Sequence, residues 1–86
     1  MSQEDRIAQA TAVQTRYEDM LLRLPNVVGV GVGLIYQGGS PTGEVGLVVM
    51  VERKLPAAQL ASAERIPPEL DGVRVDVQEV GAISAF

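Results

Sequence analysis

Three acidic side chains near the end of the chain are the residues best suited to acid–base or metal chemistry. Asp71, Asp76 and Glu79 fall in one short segment, and clustered carboxylates serve as general acids, general bases or metal ligands. Asp71 precedes Gly72, however, and this pair is typical of a turn. Asp76 alternates with Arg74 on the side of a strand that is expected to face water. Structural positions explain these carboxylates better than a reactive cluster does, so no metal site is predicted.

Alternating glycines are the next candidates, because glycine-rich loops bind phosphate groups. Gly29, Gly31 and Gly33 read G-x-G-x-G, whereas the dinucleotide fingerprint is G-x-G-x-x-G at the start of a helix. These glycines lie inside a run of valines, which indicates a strand. The basic pair Arg53-Lys54 offers an anion site, but a charged strand end is the commoner explanation. No cofactor is predicted.

Histidine and cysteine are both absent from the sequence. Ser-His-Asp and Cys-His mechanisms need an imidazole, and protein zinc sites are built mainly from these two residue types. We therefore predict that the chain is not an enzyme. Catalysis by carboxylates or by Tyr36 is left open as a third interpretation.

Charge and hydropathy narrow the classes of partner and location. The net charge is −4, and no basic cluster is larger than Arg53-Lys54. Nucleic acids and anionic membranes require the opposite pattern. The polar, acidic N-terminus is unlike a signal peptide, and no apolar run approaches the length of a membrane span, about 20 residues. We expect a single domain over residues 1–86 that resides in the cytoplasm.

A helix over residues 3–24 is the first element predicted from the sequence. Ser2 and Asp5 have the spacing of a capping box, and Pro25 ends the helix because the residue before proline leaves the helical region. Apolar residues recur between these limits at helical spacing. They are Ile7, Ala10, Val13, Tyr17, Met20, Leu21 and Leu24.

Three strands and a second helix are predicted after it. The first strand runs over residues 26–37, and its glycines share one face because successive strand residues point to opposite faces. A second strand at 44–52 completes an antiparallel hairpin, a helix follows near 56–64, and a third strand covers 73–78. The face of the first strand opposite its glycines carries Val28, Val30, Val32, Leu34 and Tyr36.

These elements predict an α+β fold with two layers in the order α-β-β-α-β. Its sheet has three mainly antiparallel strands, and both helices lie on one face. Two strand orders are open: the third strand lies parallel beside the second, or the first strand lies between the other two. The second order is favoured, because a central strand gains most from glycines that admit a helix closely.

One face of this sheet is left without a helix, so the sequence predicts an interaction surface. A valine at Gly31 is expected to overpack if that face is covered. The core contains few aromatic residues, which favours a homo-oligomer as a means of stabilising a small domain. The candidate interaction residues are Gly29, Gly31, Gly33, Tyr36, Val48 and Met50.

Three segments resemble a known family. Leu24–Gly33, Leu47–Pro56 and Ile66–Gly81 are similar in order and spacing to the N-terminal segment of bacterial trypsin-like peptidase-family proteins, ahead of the catalytic barrel. The resemblance covers roughly residues 18–83. In that family the catalytic His, Asp and Ser follow in a later domain, and no position of this sequence matches them. The resemblance therefore implies an accessory module without catalytic residues.

Two functions are predicted on these grounds. The first is a non-enzymatic oligomeric assembly or interaction module, associated with a peptidase-like protein partner. The alternative is a small-molecule-binding protein whose ligand is held at a subunit interface, against the bare face formed by the glycines.

Overall fold

The computed structural model describes residues 2–54 and 65–81. The predicted second helix near 56–64 lies outside these residues. The part of the chain that is described forms a small α+β fold with one helix and a four-stranded mixed sheet. Its elements are α1 (Gln3–Leu22), β1 (Val27–Gln37), β2 (Ser40–Val51), β3 (Glu69–Leu70) and β4 (Val73–Glu79).

Helix α1 begins with the capping box that the sequence predicts. The Ser2 hydroxyl accepts a hydrogen bond from the Asp5 N–H at 3.1 Å, and the Asp5 carboxylate accepts one from the Ser2 N–H at 3.4 Å. Two otherwise unpaired backbone donors are thereby satisfied. The helix ends at Leu22, with Arg23 as its C-terminal cap, two residues before the predicted end.

The strand order is β1-β2-β4-β3, so the favoured sequence-based order is wrong. β2 is central: it pairs antiparallel with β1 and parallel with β4. The physical reason is that β2 is apolar on both faces from Leu47 to Val51, a pattern typical of strands with neighbours on both sides. β1 is left at the edge of the sheet.

A short strand that the sequence did not predict, β3, pairs antiparallel with β4. The Asp71-Gly72 turn joins them, and both residues have positive φ, 49° and 81°. Two consecutive positive φ values are what a tight hairpin turn requires, and Asp-Gly is among the pairs that tolerate them.

The core lies between α1 and the valine-rich face of the sheet. Ile7 and Met20, which belong to the predicted apolar stripe, are both 44% exposed, so the buried part of the stripe is narrower than predicted. The fully buried cluster consists of Ala10, Val13, Leu21, Leu47, Val49, Val51 and Val73.

Asn26 closes the end of the β1–β2 hairpin opposite the turn. Its φ is 76°, in the left-handed region that asparagine tolerates better than most residues. Its carbonyl accepts from the Glu52 N–H at 2.9 Å, and its Oδ1 accepts from the Arg53 N–H at 3.0 Å. Its Nδ2 also donates to the Arg53 carbonyl. One residue therefore binds two consecutive backbone positions at the end of β2.

Candidate functional site

The face of the sheet that points away from α1 is the candidate site, here called the open face. Residues opposite each other in a sheet share a face, and the register places Gly29 opposite Met50 and Gly31 opposite Val48. Gly33 lies opposite a further glycine, Gly46. The structure thus brings together five of the six predicted interaction residues on one surface: Gly29, Gly31, Gly33, Val48 and Met50.

The three glycines that β1 contributes to the open face differ in their neighbouring atoms. A Cβ placed on Gly31 meets no atom of the described residues within 4 Å, whereas one on Gly29 lies 2.8 Å from the Cε of Met50. A Cβ on Gly33 lies 3.3 Å from Val48 Cγ2. The surface is therefore bare at its centre. The overpacking expected for a valine at Gly31 finds no neighbour among residues 2–54 and 65–81.

The close approach that the sequence assigned to β1 occurs instead at Gly46. A Cβ at this position lies 2.5 Å from the Arg74 carbonyl oxygen and 2.5 Å from Ile35 Cδ1. Ile35 is only 3% exposed. The alternation that places Gly33 on the open face also places Ile35 there, so the sequence held a signal for this packing that the prediction did not use.

Tyr36, the sixth predicted interaction residue, lies where β1 reaches β4. Its side chain is 49% exposed, and its backbone N–H donates to Asp76 Oδ2 at 3.1 Å. Asp76 also accepts from Gln78 Nε2 at 3.1 Å. The Asp76 carboxylate therefore links β4 to the end of β1, on the other side of the central strand β2.

The three carboxylates considered for chemistry hold different parts of the fold. Asp71 accepts from the Tyr17 hydroxyl at 2.9 Å and forms an ion pair with Arg16 at 3.3 Å. Glu79 accepts from the Lys54 N–H at 2.7 Å. Within residues 2–54 and 65–81, no group of three or more His, Cys, Asp or Glu side chains is arranged to hold a metal ion.

The hydrogen bond to Asp71 raises the pKa of Tyr17 above the ordinary value of 10.0, and partial desolvation and the Asp71 charge act in the same direction. A phenolate cannot donate to a carboxylate and would face its negative charge, so the neutral phenol is favoured. This pair lies on the helix side of the sheet. It ties the β3–β4 turn to α1 and takes no part in the open face.

The outer edge of β1 adjoins the open face. β1 is the first strand of the sheet, and the segment Val27–Gln37 contains no charged residue and no proline. Gln14 Nε2 donates to the Val30 carbonyl at 3.1 Å. Among the described residues, this side chain is the one hydrogen-bonding group from α1 that reaches β1.

Two grooves in the described part of the chain are open and lined largely by polar residues. One, of about 470 Å³, lies between the β1–β2 turn and β4 and includes Tyr36, Lys54 and Asp76. The other, of about 710 Å³, lies beside the start of α1 and includes Arg6, Glu44 and Arg74. Arg74 and Glu44 pair at 3.5 Å across the second groove. Neither has the apolar, enclosed lining typical of small-molecule sites.

No known family matches the chain, and comparison with curated proteins finds no similar sequence. The resemblance to the N-terminal segment of trypsin-like peptidase-family proteins therefore stays a prediction. Within the described residues, α1 lacks the combination of length and apolarity that crossing a membrane requires.

Proposed function

We propose that this chain is a non-enzymatic assembly module that associates with itself through the open face and the adjoining edge of β1. The observation that carries the proposal is the coincidence of two uncovered features at one place. A face whose centre is bare at Gly31 adjoins an edge strand without a charged residue.

Exposed apolar side chains border the same strand. Val28 is 38% exposed and Leu34 is 40% exposed. Both side chains leave apolar surface of the edge strand exposed to solvent. The net charge of −4 makes copies of the chain repel one another, so association is favoured along β1, which carries no charged residue. The acidic residue Asp76 lies on the open face beside Val48, further from this edge, and its carboxylate accepts from the Tyr36 N–H.

A peptidase-like protein is proposed as a further partner. This part of the proposal rests on the resemblance carried by segments such as Leu24–Gly33 and Leu47–Pro56. We also propose a cytoplasmic location, in keeping with the lack of cysteine in this sequence.

The alternative function, binding of a small molecule at the subunit interface, is favoured by one observation. No atom of the described residues lies within 4 Å of a Cβ at Gly31, and this space beside Val48 is wide enough for a flat ligand between two chains. A ligand bound there raises the apparent melting temperature by mass action. Thermal shift against a panel of metabolites checks this alternative, and a panel without a stabilising compound counts against it.

Sedimentation velocity over a wide range of concentration tests the assembly proposal. We expect the wild-type chain to form dimers or larger species, and Gly31→Lys to sediment as a monomer because it puts a charge at the centre of the uncovered surface. Ala12→Lys, at an exposed position of α1, is the matched control because it changes the net charge equally. It should associate like the wild type.

A wild-type chain that stays monomeric at the highest concentration would contradict the proposal. Equal loss of association in Gly31→Lys and Ala12→Lys would also count against it, because the effect would then come from net charge and not from the open face.

A further inference from the structure

We infer that the partner at the edge of β1 is the β1 strand of a second copy, paired antiparallel about a two-fold axis at Gly31. This inference rests on the proposed self-association and specifies its geometry. The outcome is a continuous sheet running through both copies, with the two α1 helices on the same side and the two open faces merged into one.

The edge of β1 lacks most of the devices that keep natural edge strands unpaired. Such edges are normally short, or carry lysine, proline or an inward-pointing charge. β1 has eleven residues and none of these residue types. At the other end of the sheet, β3 has two residues and includes Glu69. In the described part of the chain, the sheet is thus protected at the β3 edge and available for pairing at the β1 edge.

The backbone groups at the outer edge of β1 are identified by the hydrogen bonds of the sheet. The Val51 carbonyl accepts from the Val80 N–H at 2.8 Å, so Val51 directs its backbone groups toward β4. Successive residues of a strand direct these groups to opposite sides. Val48 lies three residues before Val51, so its N–H and C=O groups point toward β1. Since Gly31 lies opposite Val48, Gly31 directs its groups inward.

It follows that Val30 and Val32 direct their N–H and C=O groups outward. The bond from Gln14 to the Val30 carbonyl at 3.1 Å agrees with this assignment. A carbonyl oxygen has two lone pairs, so Val30 can accept from Gln14 and from a strand of another copy together.

The sequence of β1 is nearly the same when read in either direction from Gly31. The residues Val28-Gly29-Val30 on one side mirror Val32-Gly33-Leu34 on the other. A two-fold interface must be self-complementary, because each residue meets its counterpart from the same surface. Pairing about Gly31 matches glycine with glycine and valine with valine or leucine. This symmetry is the observation that favours a second copy over an unrelated partner.

The irregular points of β1 fall on both sides of the same centre. Register shifts occur between Val27 and Gly29 and between Leu34 and Tyr36, which leaves a regular stretch around Gly31. In the paired arrangement, Val30 forms hydrogen bonds with the partner's Val32, and Val28 comes opposite the partner's Leu34. Val28, at the first register shift, and Leu34, at the end of the regular stretch, are 38% and 40% exposed, and in the dimer they cover each other.

Disulfide trapping tests this register, and the chain contains no native cysteine to interfere. Gly31 would face the partner's Gly31 in a pair without direct hydrogen bonds, where the Cα atoms are about 4.5 Å apart. Disulfides form when Cα atoms are about 4.4–6.8 Å apart. A Cβ at Gly31 meets no atom of residues 2–54 or 65–81 within 4 Å, so we expect Gly31→Cys to fold. We expect most of this variant to form a covalent dimer on mild oxidation.

Val48→Cys is the matched control, because Val48 lies beside Gly31 on the same face but one strand further from the axis. With strands about 4.8 Å apart, the two Val48 positions are about 14 Å apart in the paired sheet. No disulfide should form. Stacking of one open face on another would instead bring Val48→Cys within reach of its copy.

Gly29→Cys and Gly33→Cys fix the register further. Each alone should stay uncrosslinked, while an equal mixture of the two should form mixed dimers, because Gly29 comes opposite the partner's Gly33. Cross-linking of Val48→Cys, or none for Gly31→Cys in a protein that sediments as a dimer, would overturn the edge pairing and leave self-association intact. A wild-type chain that is monomeric would overturn both proposals.

Discussion

The two faces of the sheet differ in burial, and two neighbouring residues of β2 show the difference. Val49 points toward α1 and is fully buried, whereas Val48, the preceding residue, lies on the open face and is half-buried. Both residues are valine, and both belong to the central strand. The difference in burial therefore comes from the helix, which covers one face of the sheet. A strand that is apolar on both faces has more apolar surface than the described part of one chain covers.

The open face is also uneven along its length. At Gly46 the backbone of β4 and the side chain of Ile35 approach within 2.5 Å of a Cβ position. At Gly31 the same measure finds open space. Glycine therefore occurs on this face for two reasons: it permits close packing within the chain at Gly46, and it leaves the centre of the face flat at Gly31.

Alanine substitutions at Val49 and at Val48 should give the largest difference in the free energy of unfolding between the two faces. Val49→Ala leaves a cavity under α1 and should lower the free energy of unfolding by about 2–4 kcal/mol. Val48→Ala removes the same atoms from a half-buried position and should cost less than about 1 kcal/mol in the monomer. Urea denaturation of both variants measures the difference. Equal losses would mean that the open face is packed as tightly as the face under α1.

Alanine substitutions at Gly46 and at Gly31 should differ in their effect on stability, because only Gly46 is closely packed within the open face. Gly46→Ala forces a methyl group against a backbone oxygen and should cost about 1–3 kcal/mol. Gly31→Ala should be neutral or stabilising by about 0.5 kcal/mol, since alanine is less flexible than glycine in the unfolded chain. Thermal denaturation at matched concentration compares them. Destabilisation at Gly31 as large as at Gly46 would place a neighbour over the centre of the face.

Phenylalanine substitutions at the two tyrosines should give the smallest difference in stability. Tyr17→Phe removes the hydrogen bond to Asp71 and should lower the melting temperature, while Tyr36→Phe on the exposed side should leave it unchanged. In Tyr36→Phe the remaining tyrosine, Tyr17, should titrate above the ordinary value of 10.0. Ultraviolet absorbance during alkaline titration measures this midpoint, and a midpoint at or below the ordinary value would contradict the bond.

The raised pKa of Tyr17 also sets the direction of a pH dependence. Because the folded chain holds this proton more tightly than the unfolded chain does, the stabilisation is fully present below the unfolded pKa. It is lost as the pH rises through the folded pKa. The melting temperatures of the wild type and Tyr17→Phe should therefore converge in alkaline solution.

Local signals predicted the local elements well. Ser2 with Asp5 predicted the start of α1, and Asp71-Gly72 predicted the turn before β4, because in both cases the interaction spans a few residues. The alternation of β1 correctly predicted that Gly31 and its valine neighbours lie on opposite faces of the sheet. The irregularity beside Val28 broke that alternation and exposed a residue assigned to the valine face.

The strand order could not be predicted in the same way, because it depends on contacts between distant segments. The glycines of β1 favoured a central position for that strand, but they lie at the edge. The informative signal was the unbroken apolar run Leu47–Val51, which requires cover on both faces and neighbours on both sides. That Gly31 and Val48 share a face could still be predicted, because face sharing within a hairpin depends on alternation and not on strand order.

Asn26 has a consequence for how the hairpin opens. Strand pairs usually fray from the end that lacks a turn, and their terminal amides exchange with solvent early. Here the Glu52 and Arg53 amides donate to Asn26 at 2.9 Å and 3.0 Å, so this end is fastened as well. Hydrogen exchange at the Arg53 amide should be slow in the wild type and fast in Asn26→Gly, which keeps the backbone conformation and the acceptor for Glu52 but loses the side-chain bonds. The amide side chain of Asn26, in the loop before β1, thus extends the β1–β2 pairing by one residue beyond the backbone bond to Glu52.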